Sequence, residues 1–229
     1  MDQDLHAPPL NPLPWIVWVL ALPVIAMELV LSLAEAGLVG GVQGVGWRLQ
    51  ALERFGMFPE LLRHQWETGG YPLDELHRLV SYTLVHGGVT HALFAVVMLL
   101  ALGKWVGEVF RWWSVLAVGL GAAGAGAAAY GLLGPGIRAP LIGAYPAVYG
   151  LIGAFTFMIF TNLSRVGANK WRAFSLIGFL LFFQFVFGML FGGGWDWAAD
   201  VAGFAAGFLL SVVVSPGGFG HVLDQIRQR

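Results

Sequence analysis

Cysteine is missing from all 229 residues, which excludes disulfides, thiol nucleophiles and thiolate metal sites and leaves the redox compartment open. Charge is scarce too: Asp, Glu, Lys and Arg together make up 11% of the chain, against roughly 25% in an ordinary soluble domain. The net charge is -1 and no basic run could track a phosphate backbone, so nucleic acid is not expected as a partner. The N-terminus carries Asp2 and Asp4 but no Lys or Arg, and the apolar segment beyond its proline-rich stretch is too long for a signal-peptide core. No cleaved signal is expected.

What the chain has in quantity is apolar surface, 58% of its residues, with 33 glycines and 10 tryptophans. That combination points to close-packed membrane helices with aromatic anchors at the interfaces. Six windows are long enough to cross a hydrocarbon core: Pro14 to Leu33, Leu79 to Gly103, Trp113 to Leu133, Leu141 to Phe160, Ala173 to Phe191 and Trp195 to Val214. They lack the alternation of a barrel, and in lipid every backbone polar group must be paired internally, so the fold class expected is an all-α, six-span bundle. The layout reads as a segment 1–13, a membrane domain 14–214 with a long loop over 40–78, and a tail 215–229.

Six spans put both termini on one side. The loops after spans two and four, with the tail, hold Lys104, Arg111, Arg165, Lys170, Arg172, Arg227 and Arg229, whereas the opposite short loops hold only Arg138. Positive residues favour the cytoplasmic face, so both termini are expected in the cytoplasm, and the membrane expected is a bacterial inner (plasma) membrane. The long first loop carries Arg48, Arg54, Arg63 and Arg78 balanced by five acids. Long loops cross largely regardless of charge. Its apolar periodicity, in Val45, Leu49, Leu52 and Phe55 and then Leu61, Leu62 and Trp66, predicts short helices at the membrane surface.

Three segments carry a family resemblance. ELHRLVSYTLVHGGVTHALFAVVMLLALGKWVGEVF resembles the rhomboid stretch that opens with a Trp-Arg pair, runs through a His-rich start to the second span and ends in a Gly followed by a Glu. Arg78, His86, His91, Gly103 and Glu108 fit, and His77 stands where Trp is usual. LIGAYPAVYGLIGAF is similar to the fourth-span segment in which rhomboids have Gly-x-Ser-Gly and then an aromatic, and ADVAGFAAGF to the sixth-span segment Ala-His-x-x-Gly-x-x-x-Gly. The resemblance implies a rhomboid bundle and the family's activity, intramembrane serine-type endopeptidase.

Independently of it, Gly143, Ala147, Gly150 and Ala154 recur at helical spacing on the fourth span, and Gly203 and Gly207 on the sixth. Small residues at that spacing let two helices approach closely. In rhomboids this contact brings a Ser to a His.

Carried over position by position, the dyad is gone. Tyr145 stands for the nucleophile, Pro146 for the following Gly, Asp200 for the general base and Ala95 for the oxyanion Asn, while His91 is retained. Serine-type hydrolysis needs a hydroxyl activated by an imidazole and donors aimed at the developing oxyanion, and loss of one such donor alone costs about 100- to 1,000-fold in rate. A rhomboid-like pseudoprotease is the expectation, binding membrane lipid and the transmembrane segments of other proteins, with no cofactor. The alternatives are a peptidase with displaced machinery and a small transporter or channel.

For displaced machinery, Ser81 near His77 and His86 is the one serine with imidazoles close in sequence, and its expected role is hydrogen bonding at a loop junction. His86 and His91 are five apart with no carboxylate motif, so no metal is expected. Glu28 within the first span would cost about 2.5 to 3.5 kcal/mol at a helix centre, judged by Asp, and should face the bundle or water. Tyr149 matches the aromatic on which the family's His packs and reads as core. For the vacated site, the larger Tyr145 facing the smaller Asp200 roughly conserves volume. A Tyr145–Asp200 hydrogen bond, direct or through one water, with His91 as second partner, is the predicted latch.

Overall fold

The computed structural model describes residues 12–69, 75–133, 139–192 and 194–217. The N-terminal acids, His6, Arg138, His221, the piece Val222 to Ile226 and the two C-terminal arginines lie outside the described residues. Among the described residues six helices are long and apolar enough to cross a membrane, and the chain is an integral membrane protein.

The first span is α1 (Trp15–Glu35). The long loop folds into α2 (Gly41–Gly44), α3 (Trp47–Phe55) and α4 (Pro59–Thr68). A single turn, α5 (Arg78–Ser81), and a 3-10 turn (Tyr82–Leu84) lead into the second span, α6 (Val89–Gly107). Then follow α7 (Trp112–Leu133), α8 (Tyr145–Arg165), α9 (Ser175–Phe191) and α10 (Asp196–Val214).

The second and fourth spans differ most from the hydropathy reading, ending at Gly107 and Arg165 rather than Gly103 and Phe160 and also starting later. The second span begins at Val89 rather than Leu79, because Gly88 takes φ +151° and separates the short turns from the long helix. The fourth begins at Tyr145 rather than Leu141, because Gly143 takes φ +96°. Both conformations lie in the region that favours glycine. Pro146, at the second helical position of α8, removes an N–H that the first turn leaves unpaired anyway.

Packing centres on α8, which is flanked by α10 and α7. A methyl group built on Gly207 would lie 2.0 Å from the Gly150 carbonyl oxygen, and one on Gly203 would lie 2.3 Å from the Pro146 carbonyl oxygen. Backbone therefore meets backbone along the α8–α10 contact. The α8 side of that contact is Pro146, Gly150 and Gly153, which corrects the expected small-residue stripe. Gly143 precedes the helix, and Ala147 packs on the cluster that joins Tyr82, Ala123 and Tyr130 to Ala199 of α10.

The long loop is tied down by charge. Arg48 of α3 donates to Glu28 at 2.9 and 3.0 Å, to Glu35 at 2.6 and 3.0 Å and to the His86 carbonyl at 2.7 Å. The Glu28 carboxylate, buried in α1, also accepts from Ser32 at 2.8 Å. Hydrogen bonding to Glu28 and then Glu35 holds the guanidinium even more firmly protonated than usual. Arg78 is paired with Glu75 and donates to the carbonyls of Glu53 at 2.7 Å and Gly56 at 3.0 Å, closing the end of α3 onto α5. Gly103 gives α1 room, since a methyl there would meet Val17 at 2.7 Å, and Glu108 pairs with Lys104 one turn back. The outward faces carry exposed Leu, Val, Phe and Trp side chains and contact lipid.

Candidate functional site

Three helices begin at the same end of the bundle, α6, α8 and α10, and their first turns converge. The site is built from rings. His86 and His91 meet edge to face with centroids 5.1 Å apart, and the Tyr145 ring stacks on His91 at 5.1 Å with 15° between planes. Gly143 closes the stack, because any side chain there would press on His91 at 3.0 Å. Ala95, expected at the oxyanion position, is wholly buried in the apolar core one turn below His91.

Hydrogen bonds assign the imidazole protons. The Ala144 N–H donates to His86 Nε2 at 3.1 Å, so the neutral ring carries its proton on Nδ1. That Nδ1 is buried without a hydrogen bond of good geometry, the Leu84 carbonyl being the backbone group that acts on the ring. Burial, and secondly the neighbouring His91, push the His86 pKa down to about 4. His91 Nδ1 accepts from the Gly87 N–H at 3.2 Å. Tyr82, against the same loop, donates its hydroxyl to the Ala123 carbonyl at 2.9 Å, and burial raises its pKa well above the ordinary phenol value.

Among the described residues the Tyr145 hydroxyl makes no hydrogen bond to an imidazole nitrogen. An imidazole nitrogen accepts a proton in the plane of its ring, and the Tyr145 ring lies flat against the His91 face. The phenol instead reaches the His91 carbonyl, at 3.5 Å, the outer limit of a hydrogen bond. Ser81 donates to the Phe55 carbonyl at 3.0 Å and His77 Nε2 contacts the Arg54 carbonyl at 3.1 Å, so that pair works at the loop junction.

The predicted latch needs correction in its direct form. Among the described residues Tyr145 and Asp200 make no direct hydrogen bond. Asp200, 4% exposed, accepts from the Gln184 amide of α9 at 2.8 Å. The Gln184 oxygen in turn accepts from the Tyr149 hydroxyl at 3.2 Å, so Tyr149 is both core residue and polar link. Gln184 has two donors and an acceptor on one planar group, and it satisfies carboxylate and phenol together. Sequence reasoning missed it. The available signal was a lone amide in the middle of the Phe-rich fifth span, which lipid would reject unless something polar faced it.

The geometry defines a class: a polytopic α-helical membrane protein with a polar site sunk about one helical turn beneath one face of the bundle. The Rhomboid domain family matches residues 73–217, more than half of the chain. The chain belongs to the rhomboid family. Among curated proteins none matches it.

Proposed function

We propose that this rhomboid-family protein does not hydrolyse peptide bonds and works by holding transmembrane segments of client or partner proteins against its bundle. The observation that carries the reading is the occupation of the dyad positions. Tyr145 lies stacked on His91 with its hydroxyl turned to a backbone carbonyl, and Asp200 is bonded to an amide. A carboxylate so bonded is a poor general base for a phenol, and Ala95 offers no donor to an oxyanion. The unit that acts is the membrane domain 14–214, with 1–13 and 215–229 in the cytoplasm of a bacterial plasma membrane.

The test is direct. Protein purified in micelles and in liposomes is exposed to a serine-reactive fluorophosphonate and to a panel of single-span substrates. Neither labelling nor cleavage is expected. Cleavage abolished by Tyr145→Phe or Ser81→Ala would establish a peptidase with displaced machinery, and ion flux in protein-loaded liposomes would establish the transporter reading instead.

A further inference from the structure

The fifth span is the least buried of the six. Its first half is seated, with Ile177 in the core and Leu176, Leu180 and Leu181 packed on it. In its second half Phe182, Phe183, Phe185, Met189 and Leu190 are exposed. Between that half and the start of α10 runs a groove of about 830 Å³, open to the lipid, with Phe185, Gly188, Trp197 and Val201 in its walls.

Its polar content has one sign. Asp196 lines the groove, Gln184 lines it, and behind Gln184 lies Asp200 at 2.8 Å. Asp196 and Asp200 are one turn apart on α10, so their carboxylates share a face about 6 Å apart along the axis. Among the described residues no Lys or Arg lines the groove, and the salt bridges involve other acids. A carboxylate at this depth is costly in lipid without a counter-charge. A neutral amide supplies a hydrogen bond but no charge, so Gln184 holds Asp200 without neutralising it.

We infer that the α9–α10 groove receives a single transmembrane helix bearing a Lys or Arg about one turn from the membrane face at which α10 begins, its charge paired with Asp196 and Asp200. The inference rests on the client-holding reading above and names the client's chemistry. The helix supplies what the groove lacks: apolar area for Phe185, Met189 and Trp197 and one positive charge for two acids. Gln184 is the placeholder, giving up its bond to Asp200 when the cation arrives.

The full chain in phosphatidylcholine vesicles tests this, with polyleucine guest helices identical except for Leu, Lys or Glu at that depth. Because the chain has no cysteine, a single Ser215→Cys can carry the acceptor for energy transfer from a labelled guest. The Lys guest should bind about tenfold more tightly than the Leu guest or better, and the Glu guest more weakly than either. In Asp196→Asn/Asp200→Asn the preference for the Lys guest over the Leu guest should vanish. Equal affinity for Lys and Leu guests overturns the inference, leaving a groove that takes any helix or lipid chain, and client holding survives. A Lys preference that persists in the double variant overturns it too, since the charge is then read elsewhere. Failure of every guest to bind sinks both readings. The guest comparison needs no variant to fold.

Discussion

Replacing Gly207 by Ala probes the contact on which the site is built. The added methyl would lie 2.0 Å from the Gly150 carbonyl oxygen and 2.6 Å from both Gly150 C and Cα. All three are backbone atoms, so no rotamer change relieves the clash, and α10 must move off α8 by an ångström or more. Overpacking of this kind costs about 1 to 3 kcal/mol, and a backbone-on-backbone clash belongs at the upper end. Alanine's better helix propensity returns about 1 kcal/mol. The net loss expected is therefore about 2 kcal/mol. Gly124 of α7 is the control, because a methyl there meets nothing within 4 Å and only the propensity gain remains. Unfolding both variants by SDS titration in mixed micelles, followed by the fluorescence of the 10 tryptophans, should separate them by about 3 kcal/mol. If Gly207→Ala proves as stable as Gly124→Ala, the two helices do not touch through backbone and the geometry derived for Tyr145 and Asp200 loses its footing.

Stability should fall as pH drops from about 6.5 to about 4, because unfolded His86 takes a proton that the folded ring refuses. At about 1.4 kcal/mol per pH unit the loss is about 3 kcal/mol, and His86→Gln should flatten the pH profile of the unfolding free energy. Arg48→Ala strands the buried Glu28 carboxylate with Ser32 alone and should cost about 3 kcal/mol in the same titration; a loss below about 1 kcal/mol would make the network a surface pair. The combined change Tyr145→Ser, Pro146→Gly, Asp200→His and Ala95→Asn should regain fluorophosphonate labelling where the single changes do not, because such groups act as a unit. A folded but unreactive quadruple variant would remove the position-by-position assignment.

The six spans and the rhomboid layout were legible along the chain because a bilayer filters for length and hydropathy, both local properties. The assignment of Tyr145, Asp200 and Ala95 to the dyad and oxyanion positions rests on motif spacing, which survives a change of residue type. The α8–α10 contact was legible from Gly203 and Gly207, which have few uses at that spacing other than close approach.

Partnerships were another matter. Glu28 and Arg48 are 20 residues apart and on different elements, and nothing local to either names the other. Tyr145 and Asp200 looked like natural partners, being the residues that replace a Ser and a His that meet. The rotation of Tyr145 onto His91 and the arrival of Gln184 from α9 gave each a different one. Hydrophobic pattern determines that a helix lies in the membrane and how long it is. Which polar side chains meet depends on rotation and tilt about contacts that pattern leaves degenerate, and only the packed bundle decides it.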